Sequence, residues 1–191
     1  MSIAAELASL IGNINAGGGG VNKNLIINGS MAVAQRGTSS TSAGFQTVDR
    51  FKSGVQTVSI TQTQESLSSG EPFEKGFTKF YRQTVTSPSS ATNVIMEIKH
   101  SIEAQNIANS GWDFKNANRP LSFSFYARSS VAGTYYSYVR NTDASPEQYY
   151  RFSFVLSANT WTKVEKTIAG NSNLVFPSDN GEGLAIFWVP A

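Results

Sequence analysis

Hydrophobic and polar residues alternate along most of the chain from residue 24 onward. The segment RPLSFSFYARSS, residues 119–130, places apolar side chains on one face at Leu121, Phe123 and Phe125. The segment YYRFSFVLS, residues 149–157, does the same at Tyr150, Phe152, Phe154 and Leu156. A period of two is typical of an antiparallel strand with one buried face. These two segments therefore predict half-buried strands.

Further segments have the same strand-like character, and turn-forming stretches rich in Gly, Pro, Asn, Asp and Ser separate them. They are QTVSITQTQ (56–64), TKFYRQTVT (78–86), NVIMEIKHSI (93–102), TYYSYVR (134–140), TWTKVEKTI (160–168) and GLAIFWVP (183–190). Many short strands with almost no helical periodicity predict an all-β fold, an antiparallel β-sandwich. A jelly roll is the favoured topology.

The N-terminal residues have a different pattern. Residues 2–15 predict one short helix, whose apolar stripe is formed by Ile3, Leu7, Leu10, Ile11 and Ile14. So short a helix is marginal alone and needs burial, either on its own chain or on another subunit. The flexible stretch NAGGGG (15–20) favours burial on another subunit, because it uncouples the helix from the residues that follow. We therefore expect an anchoring or oligomerisation helix (1–16), a Gly-rich tether (17–23) and a β-sandwich domain (24–191).

Composition removes several classes of function. The 15 basic residues are scattered and the net charge is +2, which argues against a nucleic-acid partner. The chain has no cysteine, which removes disulfides and thiolate chemistry. No apolar run approaches the ~20 residues of a membrane helix, so membrane insertion is not expected. The N-terminus lacks the basic region of a signal peptide, and we expect synthesis and folding in a host cytoplasm.

Residues that could carry chemistry are sparse. The single histidine, His100, cannot build a histidine metal site, and we expect an exposed side chain or one satisfied by a neighbour. Glu71 and Glu74 form the closest acidic cluster, a weak signal for the paired carboxylates of a glycosidase. A structural calcium ion is conceivable at loop aspartates, although they show no ordered ligand spacing: Asp49, Asp113, Asp143 and Asp179. No other cofactor is expected.

Tyrosines provide the more informative cluster, because they concentrate on two adjacent predicted strands. Aromatic faces stack on sugar rings, and neighbouring polar groups add hydrogen bonds. The glycan-binding candidates are Tyr135, Tyr136, Tyr138, Arg140, Asp143, Tyr149 and Tyr150. The alternative is that these rings pack in the core or against another subunit.

Three strings resemble a known family. NLIINGSMAVAQRG (24–37), VDRF (48–51) and SFYARS (124–129) are similar to a carbohydrate-binding-module-like jelly-roll domain of tailed-bacteriophage virion proteins, of tail-fibre or head-fibre type. The resemblance implies that Arg36 and Asp49 or Arg50 are scaffold residues that form a fixed pair. Such domains usually end with a further strand, so we expect that strand to come from another subunit or the sequence to be shortened.

The resemblance implies a non-enzymatic protein on the virion surface, either an accessory fibre or a capsid decoration. Its N-terminal helix would attach it to other virion proteins and associate its copies, most readily as trimers. The β-sandwich domain would bind host glycan. Two alternatives remain open: a purely structural decoration or cement protein, and a glycan-degrading tail protein.

Overall fold

A computed structural model describes residues 24–190 of the 191-residue chain. The predicted helix, with its stripe of Ile3, Leu7, Leu10, Ile11 and Ile14, and the Gly-rich tether lie outside the described residues. Those two predictions therefore remain predictions.

Strands dominate the described part of the chain. Their bounds are β1 (Ser39–Ser40), β2 (Phe51–Gln56), β3 (Ser59–Ser66), β4 (Lys79–Ser87), β5 (Ile95–Glu103), β6 (Leu121–Ala127), β7 (Gly133–Asn141), β8 (Gln148–Leu156), β9 (Thr162–Ile168) and β10 (Glu182–Val189). Two short helices accompany them, α1 (Glu71–Glu74) and α2 (Ala104–Ala108). Neither helix was predicted, because four or five residues cannot show a period of 3.6. Between residues 24 and 190, no helix is long and apolar enough to cross a membrane.

The strands form two packed layers. One layer is a five-stranded sheet in the order β2-β5-β10-β7-β8, and the other contains the sheets β1-β3-β4 and β6-β9. All strand pairs in these sheets are antiparallel. The chain crosses repeatedly between the layers, so β10 lies between β5 and β7 although it follows both in sequence. The predicted antiparallel all-β sandwich is confirmed.

The core lies between the layers, on what we call the inner face of the five-stranded sheet. Neighbouring strands place Phe51, His100, Ile186 and Val139 side by side on this face, and all four are buried. Phe125 of β6 packs from the opposite layer, with its ring centre 5.7 Å from that of Trp188. At these positions the predicted alternation therefore places apolar side chains inward.

The Asn-Gly turn of the opening string holds two distant segments together. Asn28 has a φ of 58°, a left-handed conformation that asparagine tolerates well. Its side-chain amide donates to the backbone oxygens of Val33 and Asp49, each at 2.9 Å. Asp49 also pairs with Arg36 at 3.5 Å, as predicted. These contacts give the string a structural role.

For His100 the prediction of an exposed side chain is wrong. It is fully buried on the inner face, 4.7 Å from the Phe51 ring. A weak hydrogen bond to the Arg50 backbone favours the charged form, although within the described part of the chain neither ring nitrogen has a partner at full hydrogen-bond geometry. Burial lowers the pKa of His100 to about 4, because a charged imidazolium is poorly solvated there. The side chain is therefore neutral at physiological pH.

Candidate functional site

Four of the predicted glycan-binding residues meet on the outer face, the side of the five-stranded sheet that points away from the core. Tyr138 on β7 lies opposite Arg151 on β8, and Arg140 lies opposite Tyr149. Tyr136 shares this face because side chains two residues apart on a strand point the same way. Tyr136 and Tyr149 are 64% and 44% exposed. Their rings are therefore available to a ligand.

The other three candidates lie elsewhere. Tyr135 and Tyr150 occupy alternate positions and point to the inner face. The Tyr135 ring stacks on Phe154 with 6.1 Å between ring centres, and Tyr150 packs on Phe152 at 5.9 Å. Asp143 follows β7 in a loop, and burial, together with Asp179 and Glu182, raises its pKa. These three side chains do not contribute to the outer face.

Phe187 of β10 lies at the centre of the outer face. Its ring is buried and stacks on Tyr138, with 4.4 Å between ring centres and 13° between the planes. The Lys99 amino group and the Arg140 guanidinium lie 5.3 and 5.2 Å from its centroid, within cation–π range. Sequence reasoning missed Phe187 because both faces of β10 are apolar, so the period of two does not show which face is outward.

Glu182 neutralises both of these cations. Its carboxylate lies 2.6 Å from Lys99 and 3.2 Å from Arg140, and it accepts a hydrogen bond from Ser101. Burial alone would raise the pKa of Glu182, but hydrogen bonds and charge from these three partners lower it overall. The carboxylate therefore stays ionised and fixes two long side chains over Phe187.

Arg151 differs from these cations. Its guanidinium lies 5.2 Å from the centre of the Tyr149 ring. Among residues 24–190, no carboxylate comes within 4.0 Å of it. Beside it is a shallow depression of about 410 Å³, lined by Tyr136, Ser137, Tyr138, Arg151, Phe152 and Ser153. The depression therefore combines aromatic rings with a charged hydrogen-bond donor.

Burial raises the pKa of Tyr138, and the Glu97 carboxylate adds to the effect. The phenol is therefore protonated at neutral pH. It can donate a hydrogen bond as well as present its ring. We call Tyr136, Tyr138, Tyr149 and Arg151 the aromatic platform. Its chemistry is that of a binding surface: ring faces for stacking, with a guanidinium and hydroxyl groups as hydrogen-bonding partners.

The acidic residues singled out in the sequence are dispersed. Glu71 accepts a hydrogen bond from the Tyr126 hydroxyl at 2.9 Å, and Asp49 is held by Arg36. In the region that the structure covers, no three His, Cys, Asp or Glu side chains are grouped closely enough to hold a metal ion. The loop aspartates considered for calcium do not form such a group.

Comparison with known proteins gives one structural likeness. No protein-family model and no curated protein matches the chain. Tailspike protein 4 of bacteriophage CBA120, in a structure described as its enzymatically active domain, has a similar fold with a TM-score of 0.49 and 12% sequence identity. The match covers 87% of this chain and 19% of that one, so the chain spans less than a fifth of the tailspike chain.

This comparison corrects one prediction. The sequence led us to expect a protein without enzymatic activity, whereas the similar phage structure is described as an enzymatically active domain. The description contradicts the prediction, which is withdrawn. The similar structure is from a phage tailspike, and no family model supports the more specific resemblance to a carbohydrate-binding module.

Proposed function

We propose that the protein is a tailed-phage virion protein whose aromatic platform binds glycan. The observation that carries the proposal is the convergence of Tyr136, Tyr138 and Tyr149 on one exposed face beside Arg151. The phage assignment rests on the three sequence strings described above. Two of these strings, residues 24–37 and 48–51, are joined by the hydrogen bond that the Asn28 side chain donates to the Asp49 backbone oxygen.

The platform has the properties that a sugar ring requires. The apolar C–H face of a pyranose packs on a flat aromatic ring, while its hydroxyl groups need donors and acceptors at the edge. Exposed Tyr136 offers the ring face, and Arg151 and Ser153 offer edge groups in the same depression. Among the described residues the Arg151 guanidinium has no carboxylate partner, which also favours sugars that carry an acidic group.

Binding by one platform is expected to be weak, because the depression is shallow. Several copies presented together raise the apparent affinity without new contacts, since each later contact is intramolecular. Attachment of the domain to a phage particle would supply such multivalency.

The experiment is an array of neutral and uronic-acid-containing oligosaccharides probed with a multivalent form of the protein. We expect binding to acidic oligosaccharides and a loss of about tenfold in affinity for Tyr136→Ala and for Arg151→Gln. The matched control is Phe73→Ala, which removes a ring that is 41% exposed on α1. The control should bind as the unsubstituted protein does.

Absence of binding to every probe would refute the proposal, and equal binding by all variants would exclude the platform as the site. A protein that stabilises particles without binding glycan would instead be a structural decoration subunit. The same incubations report cleavage, because hydrolysis of a glycosidic bond releases a reducing end.

A further inference from the structure

A large, mainly apolar cleft separates the two layers of the sandwich. Its volume is about 1090 Å³. One wall includes Leu184, Ile186 and Trp188 of β10, and the opposite wall includes Phe123 and Phe125 of β6. The cleft is on the inner face, on the other side of the five-stranded sheet from the aromatic platform.

The side chains around the cleft show that the described residues do not fill it. Leu121, Phe123 and Phe125 point inward by their period of two, yet each remains only half-buried. Protein interiors are normally packed as densely as organic crystals, and unfilled apolar volume is destabilising. A cleft of this size and composition therefore calls for an apolar occupant.

The N-terminal end of the described chain lies at this cleft. Residues 24–26 and 28–31 contribute to its lining, and Leu25 and Ile26 pack against the core cluster. The tether predicted for residues 17–23 reaches at most about 25 Å when extended. Whatever precedes the tether is therefore held close to the opening, at the high effective concentration of a short linker.

Residues 2–15 have the chemistry that the cleft requires. Their sequence predicts one apolar stripe, with Ile3, Leu7, Leu10, Ile11 and Ile14 on one side and Ala5, Glu6 and Ser9 away from its centre. We propose that this stripe docks into the cleft of its own chain, in place of the docking on another subunit that the Gly-rich stretch led us to expect, and completes the core of the sandwich. The four glycines allow the chain to reverse direction between the docked segment and β1.

The first test compares two full-length variants. Leu7→Ser/Leu10→Ser weakens the stripe, and Ala5→Ser is the matched control on the opposite side of the predicted helix. We expect the double variant to bind an apolar fluorescent dye and its β6 and β9 amides to exchange about tenfold faster. The control should behave as the unsubstituted protein does. Equal exchange and dye binding in all three proteins would overturn the proposal.

The second test locates the segment directly and does not depend on destabilisation. The chain has no cysteine, so Leu10→Cys/Met31→Cys introduces the only thiols for a short bismaleimide. Cross-linked protein of monomer mass supports docking within one chain. Cross-linked dimers would show that a second copy occupies the cleft, and failure to cross-link would place the segment elsewhere. Leu10→Cys/Val131→Cys is the control, since exposed Val131 does not line the cleft.

Discussion

His100 should make the stability of the protein fall steeply as the solution is acidified. In the folded protein burial holds the pKa of His100 at about 4, whereas an unfolded chain has the ordinary histidine value of about 6.5. Between these values the unfolded state binds one more proton than the folded state. The neutral, buried imidazole therefore contributes about 3 kcal/mol to the free energy of unfolding. This contribution is fully present above pH 6.5 and is lost as the pH falls toward 4.

The assay is urea denaturation at several pH values between 7.5 and 4, for the unsubstituted protein and for His100→Phe. Phenylalanine keeps a ring against Phe51 and removes the titrating group. Carboxylates contribute equally to both proteins, so the difference between the two pH profiles isolates His100. We expect that difference to change by about 3 kcal/mol over this range.

An independent measurement is available because the chain has a single histidine. Its C–H resonances in an untagged protein titrate without overlap from other imidazoles. A titration midpoint near 6.5, or parallel stability profiles for the two proteins, would refute the argument that burial controls this side chain. His100→Leu provides a second apolar variant if phenylalanine is too large for the site.

Three further predictions concern stability and use chemical denaturation. Asn28→Ala should lower the free energy of unfolding by about 2 kcal/mol, because it removes the hydrogen bonds to Val33 and Asp49 and disfavours the left-handed backbone. Asn28→Gly should lower it by less, because glycine accepts that backbone conformation. Equal losses in the two variants would contradict the backbone contribution. Gly183→Ala should lower the free energy of unfolding by about 1–3 kcal/mol, since a Cβ there would lie 2.5 Å from the Ala104 Cα. An unchanged denaturation midpoint would contradict this close packing. Glu182→Gln should lower the free energy of unfolding by about 1–2 kcal/mol, because Lys99 and Arg140 lose their shared carboxylate. The loss should be smaller at high salt, and a salt-independent loss would exclude the ionic explanation.

Sequence periodicity predicted the strands because a half-buried strand must alternate. The same alternation places Tyr136 and Tyr138 on one face of β7 and Tyr135 on the other. The sequence therefore predicts that these side chains point in opposite directions. His100 could have been assigned to the core as well. Ile98 and Ile102, two residues on either side, are apolar, whereas Lys99 and Ser101 between them are polar.

Other features required the structure because they depend on pairing between distant strands. Glu182 meets Lys99 only because β10 pairs with β5. That no carboxylate of residues 24–190 pairs with Arg151 likewise cannot be read from its neighbours in sequence. The cleft between the layers depends on how the two sheets face each other, which local patterns do not specify.

The position of β10 determines when the five-stranded sheet can be completed during translation. Its two partners, β5 and β7, leave the ribosome earlier, yet each must wait for β10 before its second edge is paired. Nascent chains therefore expose open strand edges until β10 has been synthesised, and such edges are prone to association with other chains. Stalled or truncated translation products lacking β10 should consequently aggregate and depend on chaperones far more than the finished protein.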